Sequence, residues 1–234
     1  MIVSVQIAEL GVRGGLGVLA RPPRAADVPG LRHAETVFTA PISDRVLPAP
    51  NLATVGLIAA WEDDDAFERF TTSHPLAQRL AGGWQVRLQP LRVSGAWTEV
   101  PDLLERQQPV EDEEPVVVLT IGRTKPWRLP PFLRAAAAAE ADAVAAPGLL
   151  ASTGFGRLPR LVSTFSVWRS AAEMRDYAYR EAGAHRAAVA ADKAHPFHFS
   201  SAFIRFRPIA SSGSWNGRNP LALAEPVVPS RRNT

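Results

Sequence analysis

The chain has 234 residues, 46% of them hydrophobic, and a formal charge of +3 from 26 basic and 23 acidic side chains. Cysteine is absent, which excludes disulfides, iron–sulfur clusters and cysteine nucleophiles. No run approaches the roughly 20 apolar residues of a membrane helix, the apolar start Met1–Leu10 lacks the early basic residues of a signal peptide, and only Lys125 and Lys193 are lysines. The expectation is therefore a cytoplasmic protein without a transmembrane segment, whose basic character comes from arginine usage and not from a nucleic-acid-binding face.

In chain order, Ile2 to Ile7 is a short β-rich run. Gly14, Gly15, Gly17 and Pro22-Pro23 follow, so the next helix is expected to be short or broken. Strands are expected over 34–38 and 53–61. Asp63-Asp64-Asp65 supplies N-cap chemistry and early negative charge for a helix over 64–80, kinked at Ser73-His74-Pro75. Trp84 to Leu91 closes this half as a strand. Residues 98–114 carry Pro101, Pro109 and seven acidic side chains and read as a linker. The plan then repeats: a strand from Val116 to Ile121, a helix from Pro130 stopped by Pro147-Gly148, strands over 149–153 and 161–168, a helix over 171–194 capped by Ser170, and a strand over 201–209. The tail from Asn219 to Thr234 has three prolines and no periodicity, which predicts mobility.

The repetition extends to residues. Pro90-Leu91-Arg92-Val93-Ser94-Gly95-Ala96-Trp97 reappears as Pro208-Ile209-Ala210-Ser211-Ser212-Gly213-Ser214-Trp215 at an offset of 118, and 53–70 matches 160–177 at an offset of 107, with Trp61 on Trp168. The order β-α-β-β-α-β, twice, predicts an α+β fold of two tandem ferredoxin-like (split βαβ) units, packed as an intrachain dimeric α/β barrel. The expected domains are 1–97, the acidic linker 98–114, a second unit 115–218 holding the candidate site, and the tail 219–234. Such an internal pseudo-dimer lets one copy keep a working pocket while the other diverges.

No hydrolase elbow, zinc-protease helix, phosphate loop or paired-cysteine motif is present. Of the five histidines, His185 stands out. It follows Met174 by 11 residues, about three helical turns, so on one continuous helix it would share an inward stripe with Met174 and Tyr177. It would be either a satisfied core histidine or a metal ligand. His195 and His198 flank Pro196-Phe197 at a rim and lack a third ligand. Arg205 and Arg207 alternate against Ile204 and Phe206, facing either carboxylates or solvent. Trp61, Trp168, Trp97 and Trp215 suit core packing or the walls of an apolar cavity.

Val162–Ser170, Met174–Tyr179, Ala184-His185-Arg186, Phe203–Pro208 and Gly213–Gly217 together resemble the spheroidene monooxygenase family of carotenoid ketolases and their bacterial relatives. The resemblance implies a tandem dimeric α/β barrel and an oxygenase acting on an apolar polyene. It implies haem as cofactor, His185 as the axial ligand to iron, Arg205 and Arg207 pairing with propionates, and Phe165, Trp168 and Tyr177 lining the substrate pocket. Electrons would come from an unidentified donor. Two other readings stay open on the same fold: a non-catalytic protein that binds an apolar ligand, and a cofactor-free monooxygenase of the antibiotic-biosynthesis type.

Overall fold

A computed structural model of the chain describes residues 1–41, 49–180 and 183–223, apart from the side chains of His185 and Leu223. Eight antiparallel strands close into a barrel: β1 (Ile2–Glu9), β2 (Leu31–Ala40), β3 (Asn51–Trp61), β4 (Trp84–Gly95), β5 (Val116–Thr124), β6 (Leu149–Arg157), β7 (Leu161–Trp168) and β8 (His198–Gly213). Their order around the barrel is β1-β3-β2-β6-β7-β5-β8-β4. The first four strands thus neighbour one another as 4-1-3-2 and the last four as 8-5-7-6. The two sets join along β2·β6 and β4·β8.

Eight strands leave an interior just wide enough for side chains to fill, and here it is filled. Val3, Val5, Ile7, Val86, Leu88, Val117, Leu119, Phe155, Phe165, Ile204 and Phe206 form one buried cluster. The repeated octapeptide closes the barrel ends. Gly95 and Gly213 both take positive φ (83° and 79°), and a Cβ on either would meet a backbone oxygen, Ser201 O at 2.2 Å or Gly83 O at 1.9 Å. These turns send Trp97 and Trp215 into the core from opposite ends, because β4 and β8 run antiparallel. Val100 and Leu103 of the acidic segment join that core. So does Leu221 of the expected loose tail, where Asn219 Oδ1 accepts from Trp84 Nε1 at 2.9 Å. Residues 224–234 of that tail lie outside the described residues.

Helices cover the outer face. In the N-terminal half α1 (Gly11–Ala20) is short but unbroken. Its glycines serve close packing, since a Cβ on Gly15 would fall 1.9 Å from Leu52 O. The expected helix over 64–80 divides into α2 (Asp64–Ser73) and α3 (Pro75–Leu80) at His74, whose Nδ1 accepts from Leu76 N at 3.1 Å. In the C-terminal half the layer is α4 (Leu129–Val144), α5 (Ala171–Tyr179) and α6 (Ala184–Ala194). The expected continuous helix over 171–194 is thus two helices. Arg180 leaves helical geometry (ψ 123°) and Gly183 starts the next helix in extended conformation. The inward stripe drawn from Met174 to His185 therefore does not carry across, because helical periodicity holds only within one helix.

Candidate functional site

The outer faces of β3 and β7 correspond residue for residue at the 107 offset: Val55, Leu57, Ala59 and Trp61 against Val162, Thr164, Ser166 and Trp168. In the N-terminal half this face is sealed, with Val18 of α1 and Phe67 and Phe70 of α2 packed with Leu57 and Trp61 in one buried cluster. In the C-terminal half Thr164, Ser166 and Thr120 remain half-buried, as do Leu129, Phe132 and Leu133 of α4. The fully buried residues of α4 are Ala137 and Ala139, and it packs chiefly along α6. The partly buried sheet face and the partly buried α4 side chains make this layer the candidate helix–sheet cleft. Such clefts between preformed layers are where small molecules are held.

One end of the cleft is closed by α5. Val116, Val118, Trp168, Ala171 and Met174 form a buried cluster there, with Tyr177 and Phe203 against it. Tyr177 stacks on Trp168 at 5.1 Å and its hydroxyl donates to Ala139 O at 2.9 Å, tying α5 to α4. Burial, followed by the charges of Asp142 and Glu140, pushes the Tyr177 phenol up, so it stays a neutral donor. Arg205 lies under α5, 7% exposed. Its guanidinium meets Met174 Sδ at 3.9 Å and Tyr179, and its Nε has no acceptor. No described carboxylate pairs with it. A buried cation without a counter-ion is unusual and marks a place where an anionic group would be stabilised.

At the other end His198 lies over Gly122. A Cβ on Gly122 would fall 2.4 Å from His198 Cδ2. Phe132 of α4 meets the imidazole edge-on at 4.9 Å, and both ring nitrogens are buried without a hydrogen bond. Burial lowers the pKa of His198; Asp192, 3.7 Å from Nδ1, opposes the shift and Lys125 adds to it. The sequence marked His198 only as one of a pair with His195 at a rim, but Gly122 could have pointed to its packing: a glycine inside a strand marks close approach by another group.

The expected pocket residues are not all brought together. Trp168 and Tyr177 are in contact on the outer face, with Arg205 nearby. Phe165 lies three residues before Trp168, hence on the opposite face of β7, and is fully buried inside the barrel near Trp84, Phe155 and Trp215. Arg207 faces outward but is engaged by Glu114, whose Oε2 accepts from Nε at 3.1 Å and from a terminal nitrogen at 2.8 Å. His185 is the second residue of α6, and its side chain lies outside the described residues. His195 is exposed. No group of three His, Asp or Glu side chains among the described residues could hold a free metal ion.

Sequence inspection also missed a charged cluster inside the barrel. Arg123 of β5 pairs with Glu35 of β2 at 2.7 Å and with Glu99, and His33 Nε2 lies 3.3 Å from Glu35. Burial would raise the Glu35 pKa, but His33 and Arg123 outweigh it and hold the carboxylate below its ordinary range. Two shallow grooves, of about 320 and 370 Å³, lie away from the cleft, one between α2 and the β4–β8 junction and the other between α1 and α3.

The fold and the cleft define an α+β barrel with one sealed and one open helix–sheet layer. The same fold occurs in aldoxime dehydratase solved with butyraldoxime, at 9% identity and a TM-score of 0.50, covering 88% of this chain and 79% of that one. No protein-family model matches the chain. Curated relatives do. The chain is 30% identical over 224 residues to spheroidene monooxygenase of Rubrivivax gelatinosus, covering 93% of this chain and 85% of that protein. It is 27% identical over 188 residues to spheroidene monooxygenase of Cereibacter sphaeroides, where the match covers 78% of this chain and 58% of the relative's length. The chain belongs to the spheroidene monooxygenase family, a family of oxidoreductases.

Proposed function

We propose that the chain is a monooxygenase that oxygenates a hydrophobic, polyene-like substrate in the C-terminal helix–sheet cleft. The observation that carries this reading is that Thr164 and Ser166 stand only partly buried where the N-terminal half has the fully buried Leu57 and Ala59. The names of the curated relatives suggest the substrate class. We further read 1–97 and 115–218 as tandem ferredoxin-like units, the second carrying the site.

Haem is the cofactor implied by the family resemblance, and the residues bordering the cleft fit it in kind. Arg205 is a buried cation lacking an anion, suited to a propionate. The outer sheet face carries small residues side by side at Thr120, Thr164 and Gly154. Arg207 could help only by exchanging Glu114. His185, on α6, would be the residue that supplies an imidazole to the iron. Haem would supply activation of oxygen, which no side chain in this chain can provide alone. The protein's part is to hold and exclude: Trp168 and Phe203 offer apolar wall, Tyr177 pins α5 over the inner end, and the helices keep bulk water from the reacting carbon.

The test is a visible spectrum of protein reconstituted with haem. A Soret band lost in His185→Ala, with folding unchanged, is the expected result. A band of equal strength in the variant would remove His185 as ligand. A featureless wild-type spectrum would shift the reading to a cofactor-free oxygenase or a binding protein.

A further inference from the structure

One end of the C-terminal half carries an apolar surface that the fold leaves uncovered. Trp127, in the 3-10 turn before α4, is 67% exposed, and Phe199 of β8 is 66% exposed. The two rings meet edge to face at 5.7 Å. Thr124 N donates to Arg160 O at 3.2 Å, so the β6–β7 turn is fastened beside the end of β5 and adds Leu158, 51% exposed. Three large apolar side chains held in the open by a rigid barrel end cost solvation.

The charges around them are mainly basic. Lys125 Nζ sits 5.8 Å from the Phe199 ring centre, and Arg128 stacks over Phe197 at 5.4 Å while donating to His195 O at 3.0 Å. Arg160, whose carbonyl accepts from Thr124 N, completes the set. No acidic residue occurs between Glu114 and Glu140, nor between Asp142 and Glu173, the two stretches that build this end. The carboxylates near this end are engaged: Asp192, its side chain 36% exposed, accepts from Phe197 N at 2.9 Å, and Glu35 and Glu99 are bound to Arg123.

We propose that this end, Trp127, Phe199 and Leu158 ringed by Lys125, Arg128 and Arg160, is a docking surface for an anionic lipid bilayer. Exposed tryptophan and phenylalanine sit favourably at the level of lipid headgroups, and lysine and arginine beside them are drawn to acidic ones. A protein partner would be expected to leave hydrogen-bonding groups among the rings. A nucleic acid would need basic side chains spread along a groove rather than around an apolar centre. The inference does not rest on the oxygenase reading, since it concerns how the folded chain seats on lipid. It does put the His198 end of the cleft next to the bilayer.

The experiment is co-sedimentation of the full chain with vesicles of phosphatidylcholine alone or mixed with phosphatidylglycerol, with brominated lipid as a depth probe. The other five tryptophans are at most 8% exposed, so quenching by brominated acyl chains reports Trp127. Expected are binding to the mixed vesicles, quenching that disappears in Trp127→Phe, and binding weakened about tenfold or more in Lys125→Glu/Arg128→Glu. No binding to either vesicle overturns the proposal. So does binding with undiminished affinity in the charge variant, or without Trp127 quenching, because another face is then used. Binding to DNA but not to vesicles also overturns it. The substituted side chains are at the surface, so an unchanged circular dichroism melt confirms that each variant is folded.

Discussion

The two halves lay the same four-strand pattern under helices and use the space differently. Over the first four strands, Leu57 and Trp61 meet Val18, Phe67 and Phe70, and the layer is dry. Over the last four, Thr164 and Ser166 stand where the first half has Leu57 and Ala59, Met174 and Tyr177 replace the two phenylalanines, and the layer is less completely buried. The lesson is that two halves on one strand pattern can differ in their outer faces: the first is fully packed, and the second carries the small polar side chains that the proposed site would use. Moving side chains between the copies tests this directly. Leu57→Thr puts the C-terminal chemistry into the sealed layer, removing buried methyl groups and burying a hydroxyl. Stability should fall by about 3–4 kcal/mol, read as a lower urea midpoint at unchanged slope. A loss below about 1 kcal/mol would mean that this layer already has room.

The halves also differ in what they contribute to their junction. Arg123 comes from the second and Glu35 from the first, and they meet inside the barrel with Glu99. Arg123→Met leaves Glu35 buried without its cation. The expected loss is about 2–3 kcal/mol near neutral pH, allowing for partial solvent access at Arg123. Because the folded carboxylate titrates below its ordinary 4.5, the network's contribution is present above that value and lost as pH falls through the folded value. Wild type and variant should therefore converge in acid. A constant gap down to the acid transition would show that packing, not charge, is lost.

The reciprocal exchange at the open layer is gentler on the fold. Thr164→Leu fills the cleft with the side chain its counterpart carries. Stability should change by no more than about 1 kcal/mol, while retention of haem or of a polyene ligand should drop at least about tenfold. Unchanged ligand retention would locate the site elsewhere.

Much of this was legible in the chain. The alternation of β8, the caps at Asp63 and Ser170, and the paired Gly-x-Trp turns report local geometry, which adjacent residues determine. The Trp61 and Trp168 match even located the faces to compare. What stayed hidden depends on contacts far apart in sequence. Residues 171–194 read as one helix because their alanines favour it, yet the chain turns at Arg180–Gly183. Phe165 looked like a pocket residue until the barrel showed which face of β7 is the core. Arg123 carries no local signal, since its partners come from 88 residues upstream at Glu35 and from the acidic segment at Glu99. The openness of the second layer is a property of two surfaces that fail to meet, and no single element records it.

The smallest effect expected belongs to His198, and it separates the two layers by pH. His74 in the N-terminal half stacks on Phe70 at 4.7 Å and spends Nδ1 on a cap, whereas His198 is buried over Gly122 with neither nitrogen bonded. Burial lowers its pKa from the ordinary 6.5, with Asp192 opposing and Lys125 assisting. The unfolded chain therefore takes up this proton first as pH falls. The stability held by neutral His198 is complete above 6.5 and declines as pH drops from there toward the folded value. Glu35 does not titrate in that window. Urea midpoints measured between about pH 7.5 and 5.5 should thus fall for wild type, and the decline should flatten in His198→Phe, which keeps an aromatic ring against Phe132. A slope that survives the substitution would mean that another histidine carries it, and that the far end of the open cleft is wetter than the packing of Phe132 on His198 indicates.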